Sequence, residues 1–294
     1  LAAATAAIYV ELRAFQTRVV IAQTNVRLQE DTLALAQARF DAGLVGERDV
    51  AQATTNVELT RSRVPTLEAG ARAASNRLAV LVGLAPGSLA NELELAGPVP
   101  VPPATAAVGV PADLIRSRPD VRRAERLLAA EHARIGVAAA ELYPRLTLFG
   151  SIGVAAGRAS DLFRTGSDTF AVGPSVRWNL FDSGRLRGRL EAQSARAEQA
   201  LVRWETVISS ALEEAENAMT GFALERRRLD SLRRAAEQAR RTVEFAQYEY
   251  NEGLSDFQTV LDSERALAAL EDEIALTEAN VTTRYVALHR ALGV

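Results

Sequence analysis

The side chains able to do bond chemistry are scattered along this chain with no spacing that would assemble them. Ser, His and Asp residues are present, yet no motif sets a nucleophile beside a base and an orienting group. His132 and His289 lie far apart without ligand spacing, so each reads as an ordinary surface or interface histidine. The run Glu271–Asp272–Glu273 reads as a solvated helix face. All 34 basic residues are Arg, most simply a genome bias, and the absence of Lys removes P-loop and Schiff-base chemistry. Without Cys there are no disulfides or thiolate metal sites, a composition compatible with an oxidising compartment. A net charge of -3 gives no electrostatic case for nucleic acid. The expectation is a non-enzyme with no cofactor and no metal. The residues that stand out are conformational: Gly43 and Gly253, in turns at Asp41–Glu47 and Asn251–Phe257, where a positive φ would close a helix.

Those turns belong to a repeat. Thr32, Ala36, Gln37, Gly43 and Leu44 return as Thr242, Ala246, Gln247, Gly253 and Leu254, a constant offset of 210 residues. Phe40 returns as Tyr250, Val50 as Val260, and Leu78 and Gly83 as Leu288 and Gly293. Such self-similarity implies two related helical hairpins. Leu12, Phe15, Val19, Ala22, Val26, Gln29, Leu33, Ala36 and Phe40 step by three and four, as does the longer series from Leu201 through Ala215, Phe222, Glu225, Leu229 and Val243 to Tyr250. Interrupted only by Gln29 and Glu225, these seams have the 3.5-residue period of left-handed coiled coils. A helix from about 184 to 251 would be roughly 100 Å long at about 1.5 Å per residue. No run of about 18 apolar residues exists, so no transmembrane helix is expected.

Between the repeats the pattern changes twice. Residues 84–111 carry Pro86, Pro98, Pro100, Pro102, Pro103 and Pro111, a linker with no helical future. A helix should restart near Pro119, with Asp120 and Glu125 at its positive end, and run to about Leu142, before Pro144. The period then drops to two. Leu146, Leu148, Ile152 and Val154 alternate with Arg145, Thr147, Phe149, Ser151 and Gly153; Phe170, Val172, Val176, Trp178 and Leu180 alternate with Ala171, Gly173, Ser175, Arg177, Asn179 and Phe181. About ten residues, apolar on one face, suit a transmembrane β-strand. The same pattern suits a hairpin half-buried in a soluble α+β domain. Placed between two coiled-coil hairpins it has little soluble core to cover, so its apolar face needs lipid or a partner, and a lone two-stranded ribbon is marginal in water. Closure by several copies would meet both needs.

Four stretches carry a resemblance to the TolC-type outer-membrane efflux proteins, and within them to the OprM-like lipoprotein branch that serves resistance-nodulation-division pumps. They run from Val110 to Gly153 (VPADLIRSRPDVRRAERLLAAEHARIGVAAAELYPRLTLFGSIG), Trp178 to Glu191 (WNLFDSGRLRGRLE), Ala38 to Ala53 (ARFDAGLVGERDVAQA) and Tyr248 to Arg265 (YEYNEGLSDFQTVLDSER). The resemblance covers the whole chain. It implies a mainly α protein with a small β part: two tandem antiparallel coiled-coil hairpins in a periplasmic α-barrel, and two transmembrane strands in the outer-membrane β-barrel of a homotrimer. It divides the chain into a first hairpin (1–83, tip near 41–47), a linker and equatorial segment (84–118), a helix (119–142), a transmembrane β-hairpin (143–182) and a second hairpin (183–294, tip near 251–257). The first-half strand pair, a lipidated Cys and the first helices are expected upstream of Leu1, and the loop at about 155–168 would face outside the cell. The implied partners are a periplasmic adaptor, an inner-membrane pump of that class, outer-membrane lipid and exported small molecules.

The resemblance also assigns residues. Gly43, Leu44, Gly253 and Leu254 would form the periplasmic entrance and meet the adaptor. Asp262 matches an aspartate at the narrowest part of the closed entrance, where a three-fold carboxylate ring would concentrate negative potential and make closure sensitive to pH and ions. Thr259 stands where some relatives carry a second aspartate, which would weaken the ring. Asp49 matches an aspartate that pairs with an arginine across the tips, but that position is Ser255, so Arg48 or Asp256 would have to supply another contact. Tyr250 matches a tyrosine of the closing network, or simply packs as the last seam residue. Arg145, Arg177 and Asn179 would line the barrel lumen. Leu146, Leu148, Ile152, Phe170, Val172, Val176, Trp178 and Leu180 would face lipid, Trp178 at its interface. Two other readings remain open: a soluble or peripheral coiled-coil scaffold or adaptor, whose hairpin is buried against protein, and an all-helical enzyme, which would need a convergent polar site.

Overall fold

The computed structural model describes residues 1–103, 112–161, 163 and 165–293. The end of the expected linker, 104–111 with Pro111, and positions 162 and 164 of the expected outer loop lie outside the described residues, as does Val294. Two compact units emerge, one of Leu1–Leu114 with Glu213–Val294 and one of Ile115–Leu212.

The first unit is helical. Helix α1 (Ala2–Asp41) turns at the first tip into α2 (Glu47–Leu81), and α6 (Arg185–Asn251), most of which belongs here, turns at the second tip into α7 (Phe257–Leu292). The seam of α6 is buried at Ala211, Ala215, Phe222, Leu229, Ala236, Val243, Ala246 and Tyr250, so the three-four step is the packing face. Its interruption at Glu225 is polar by design of the contact: the carboxylate accepts from Arg228 on α6 and from Asn280 on α7. Helix α1 buries a wider stripe, adding Asn25 and Thr32 to Ala22, Gln29 and Ala36, because it packs against α2 and α7 together. Arg18 clasps Asp272 of α7 through two bonds of 2.6 and 2.9 Å. On the α2 side the approach needs a missing side chain, since a Cβ at Gly70 would sit 2.5 Å from the Phe15 ring. Pro65 lies inside α2, which runs through it although Pro can offer no amide hydrogen to the preceding turn.

The Pro-rich segment is not merely a connector. It forms a helical turn, α3 (Ala90–Leu93), and its chain is bonded to two helices. Arg13 donates to the Leu95 carbonyl at 2.7 Å, Gln16 to that of Leu93 at 2.6 Å, and Thr282 of α7 to that of Pro100 at 2.6 Å. Val99 is buried with Val10, Ala14 and Ala279. Beyond its own short turns, carbonyls of this stretch take donors from helix side chains. Helix also resumes earlier than Pro119, as α4 (Ala112–Ser117).

The second unit joins α5 (Pro119–Ala140), strands β1 (Arg145–Val154) and β2 (Asp168–Arg177), and the start of α6. Helix α5 begins with Pro at its first turn, and Arg118 clamps Asp120 there, holding that carboxyl below the usual range. It ends two residues before Leu142. Gln193 and Arg189 of α6 reach Glu131 and Glu141 of α5 at 2.7 and 3.3 Å. The start of α6 explains the Asp-Ser-Gly motif. Asp182 accepts from the amides of Gly184 and Leu186 at 3.2 and 2.9 Å, while Ser183 and Gly184 take φ of 55° and 80°.

Candidate functional site

Both hairpin tips stop their first helix in the same way. At the first, Gly43 has φ 70°, its amide donates to the Phe40 carbonyl, and the Leu44 amide donates to that of Arg39. At the second, Gly253 has φ 74°, with equivalent bonds to Tyr250 and Glu249. These are paired 5→2 and 6→1 closures, for which a residue with positive φ is required. Each closure leaves its leucine outward: Leu44 is 68% and Leu254 76% exposed. The restart differs. Helix α2 begins from Gly46 without a side-chain cap, whereas α7 begins from Asp256, which accepts the Thr259 amide at 3.0 Å and its hydroxyl at 2.8 Å. Those two bonds hold the Asp256 carboxyl below the usual range, and Arg48 from the first tip adds to the effect.

Beneath the tips the two hairpins share a core of Ala36, Ala53, Ala246, Tyr250, Phe257, Val260 and Leu261. Tyr250 is buried, 5.2 Å from the Phe257 ring. The Arg39 guanidinium lies 4.4 Å over the tyrosine ring and donates to the Tyr250 carbonyl at 2.6 Å and the Asn251 carbonyl at 3.4 Å. Arg39 of α1 therefore caps the end of α6, joining one hairpin to the other by a cation–π contact and two bonds to the last carbonyls of that helix. Burial pushes the Tyr250 phenol above its ordinary range; Arg39 opposes that, and Asp49 reinforces it. This is the environment of a packing tyrosine whose neighbours are charged.

The remaining residues that the resemblance assigned to the entrance have local partners. Asp262 is 61% exposed at its side chain and is bonded on its own helix to Gln258 at 2.9 Å and Arg265 at 3.2 Å. Arg265 also donates to Asn56 of α2 at 2.8 Å, which ties this carboxylate to the first hairpin. Asp49 lies 3.9 Å from Arg48, its neighbour in sequence. Ser255 donates to the Asp256 carbonyl at 3.4 Å, and Thr259 is committed to the α7 cap. Sequence reasoning missed Arg39 and Arg265. An arginine in the last turn of α1 reads as complementing its own helix, and nothing local shows that it reaches another.

In the ribbon, register puts the two alternating patterns in phase. Leu146 faces Val176, Leu148 Pro174, Gly150 Val172 and Ile152 Phe170 on one side; Arg145 faces Arg177, Thr147 Ser175 and Phe149 Gly173 on the other. The apolar side is uncovered, with Ile152 87% exposed. The Ala155 amide donates to Ser167, which makes the odd-numbered β1 positions the hydrogen-bonded pairs. Pro174, opposite Leu148, thus falls at a non-hydrogen-bonded position and costs no bond of the ladder. Arg145 and Arg177 sit directly opposite each other, a repulsion eased only by a wet, high-dielectric surrounding. The alternation read through Phe181 runs past the end of β2, so Trp178, Asn179 and Leu180 are not strand residues. Instead Trp178 Nε1 donates to the Leu142 carbonyl at 3.1 Å, pinning the end of β2 to the turn that leads into β1. His289 stacks edge-on against Tyr285 at 4.5 Å.

Comparison with known proteins places these features. Nodulation protein T of Rhizobium leguminosarum bv. trifolii is 32% identical over 285 residues, 97% of this chain and 61% of that protein. The pyoverdine export outer membrane protein OpmQ of Pseudomonas aeruginosa is 32% identical over 285 residues, 97% of this chain and 59% of its own. Among solved structures, the outer-membrane channel OprN superposes with a TM-score of 0.91 and 38% identity, over 99% of this chain and 65% of that one. The chain thus spans about three fifths of the length of the curated relatives it matches. Residues 110–294 match the outer membrane efflux protein family, and the chain belongs to that family.

Proposed function

We propose that the protein is the outer-membrane exit duct of a tripartite pump of the resistance-nodulation-division class. In this reading three copies form one pore, the ribbon enters an outer-membrane β-barrel, and the coiled-coil hairpins form a long periplasmic barrel. The observation that carries it is the ribbon: one face is apolar and uncovered up to Asp168 at its far end, and the other carries Thr147, Ser175 and two opposed arginines beside Phe149, in a chain whose longest elements are two helical hairpins. Lipid on one side and a water-filled lumen on the other satisfy both faces. Arg145 and Arg177 then line the lumen, while Leu146, Leu148, Ile152, Phe170, Val172 and Val176 meet lipid. Closure among copies supplies partners for the outer edges of β1 and β2, which lipid would not tolerate unpaired. Exported small molecules leave through this pore.

The tips form the periplasmic entrance and the adaptor's docking surface. Two exposed leucines held on rigid closures suit packing against another helical hairpin. Three Asp262 carboxylates at the constriction set a negative potential, moderated by Arg265.

Single-channel recording of the full-length protein in planar bilayers, after its trimer mass is checked, tests the proposal. A cation-preferring trimeric pore of low resting conductance is expected, and Asp262→Ala raises that conductance. A monodisperse species that stays soluble without detergent and forms no channel would favour a coiled-coil scaffold with the ribbon buried against protein. Unchanged conductance and cation block in the variant would remove Asp262 from the gate.

A further inference from the structure

Below the tips lies a buried carboxylate outside the residues assigned to the entrance. Glu264 of α7 is 2% exposed. Its Oε1 accepts from Thr32 of α1 at 2.7 Å and from Gln247 of α6 at 3.2 Å, so one atom joins three helices. Its Oε2 is buried and makes no hydrogen bond. Gln29, one helical turn from Thr32 on the buried stripe of α1, carries a second buried acceptor, Oε1, that also makes none. Neither acceptor is met by the one unpartnered donor described nearby, Asn56 Nδ2 of α2, whereas a carboxylic acid would bring a donor of its own.

We propose that Glu264 binds a proton on Oε2, with Gln29 Oε1 as its acceptor, making the junction of α1, α6 and α7 beneath the tips a proton-dependent clasp. The charged surroundings favour this. From α1 the junction receives Gln29 and Thr32, from α6 Gln247, and from α2 Asn56, all neutral. Toward the tip the nearby titratable groups are Tyr250 and Asp49, with Arg39 on Tyr250. Away from the layer, Glu30 and Glu58 are paired with Arg61, and Glu271 with Arg240. Among the described residues the cation that acts on Glu264 is its neighbour Arg265, whose donors go to Asn56 and Asp262. Burial outweighs that attraction and the two hydrogen bonds, raising the Glu264 carboxyl above its ordinary range. A group that holds its proton more tightly in the assembled junction stabilises it fully at low pH. The contribution fades as pH rises through the raised value, when an ionised carboxylate with an unpaired oxygen would be left buried. The clasp therefore loosens with rising pH. Its effect on the entrance rests on the duct reading, but the proton site does not.

Infrared difference spectroscopy of the full-length protein, with isotope-labelled glutamate, tests the site without any channel measurement. The expected result is a protonated-carboxyl band that persists above about pH 4.3, where ordinary glutamates ionise, and that is lost in Glu264→Gln. Thr32→Val, which removes a donor from the charged form, should move the band's midpoint to higher pH. The thermal midpoint of the wild type should fall relative to Glu264→Gln as pH rises, because the amide cannot ionise. A Glu264 that titrates at or below the ordinary value would overturn the proposal and mean that the Gln29 amide is turned to donate to an ionised carboxylate. A band unchanged in Glu264→Gln would overturn it equally.

Discussion

The first tip and the second share one stop and differ in how the next helix is capped and in what crosses between the hairpins. Gly43–Leu44 and Gly253–Leu254 close their helices through matching bonds. The next helix then starts bare at Gly46 in one and from the Asp256–Thr259 cap in the other. Contacts between hairpins are equally one-sided: Arg39 reaches over the end of α6, while its counterpart 210 residues later is Glu249, which cannot do the same for α1. A repeat thus preserved the closure that backbone geometry demands and let the side-chain contacts diverge. The second tip is the better-anchored of the two.

The largest test of that comparison is Gly253→Pro set against Gly43→Pro. Pro cannot take positive φ and lacks the donor of the closure, so each should cost about 3 kcal/mol or more locally. If the tips dock an adaptor, efflux by cells carrying either variant is lost while trimers persist in the membrane. Loss of the trimer would make these glycines folding residues alone, and a large difference between the two would break the equivalence of the closures. Next in size, Arg39→Ala should lower stability by about 1–3 kcal/mol through two lost bonds to carbonyls and a lost cation–π contact. Calorimetry would read the loss, and rescue by Lys should be partial because the planar fork is gone. Smaller again, Asp256→Ala should lower the thermal midpoint more than Gly46→Ala does. The Asp256 contribution, from a carboxyl held below its ordinary 3.8, is present above that pH and lost as pH falls through the lowered value. The smallest effect is expected from Ser255→Arg, which would offer Asp49 the arginine that the resemblance led one to expect there. An exposed pair adds about 0–1 kcal/mol, so a modest drop in resting conductance is the outcome to seek; no change would leave Asp49 outside the gate.

Much of this was legible beforehand. The three-four seam marked the face that α6 buries from Ala211 to Tyr250, but of the α1 seam only Leu12, Ala22, Gln29 and Ala36 are buried, and Phe40, unlike its counterpart Tyr250, is exposed; the positive φ of Gly43 and Gly253 followed from their places at the ends of those seams. The period-two alternation located β1 and β2, but it overran β2 because Trp178 and Leu180 keep the apolar rhythm after the backbone has left the ladder. Pro-rich composition read as a linker with no helical future over 84–111, yet a helical turn forms at Ala90–Leu93, and composition hid that the segment is strapped to α1 and α7, since carbonyl acceptors leave no mark in a sequence. Thr259 and Ser255 were assigned by position in a family pattern, and the structure commits both to bonds around Asp256.

By itself the sequence determined what depends on nearest neighbours along the chain: helix period, strand alternation, breaks at Pro, closures at Gly and the repeat that sets one tip against the other. Only the tertiary structure decided which long side chains cross between elements, because Arg39, Arg265 and Glu264 each bond to a helix far away in sequence. Periodicity records which face is buried. It carries no information about what that face meets, and burial among particular partners is what raises the Glu264 carboxyl above its ordinary range and sets Arg39 over Tyr250.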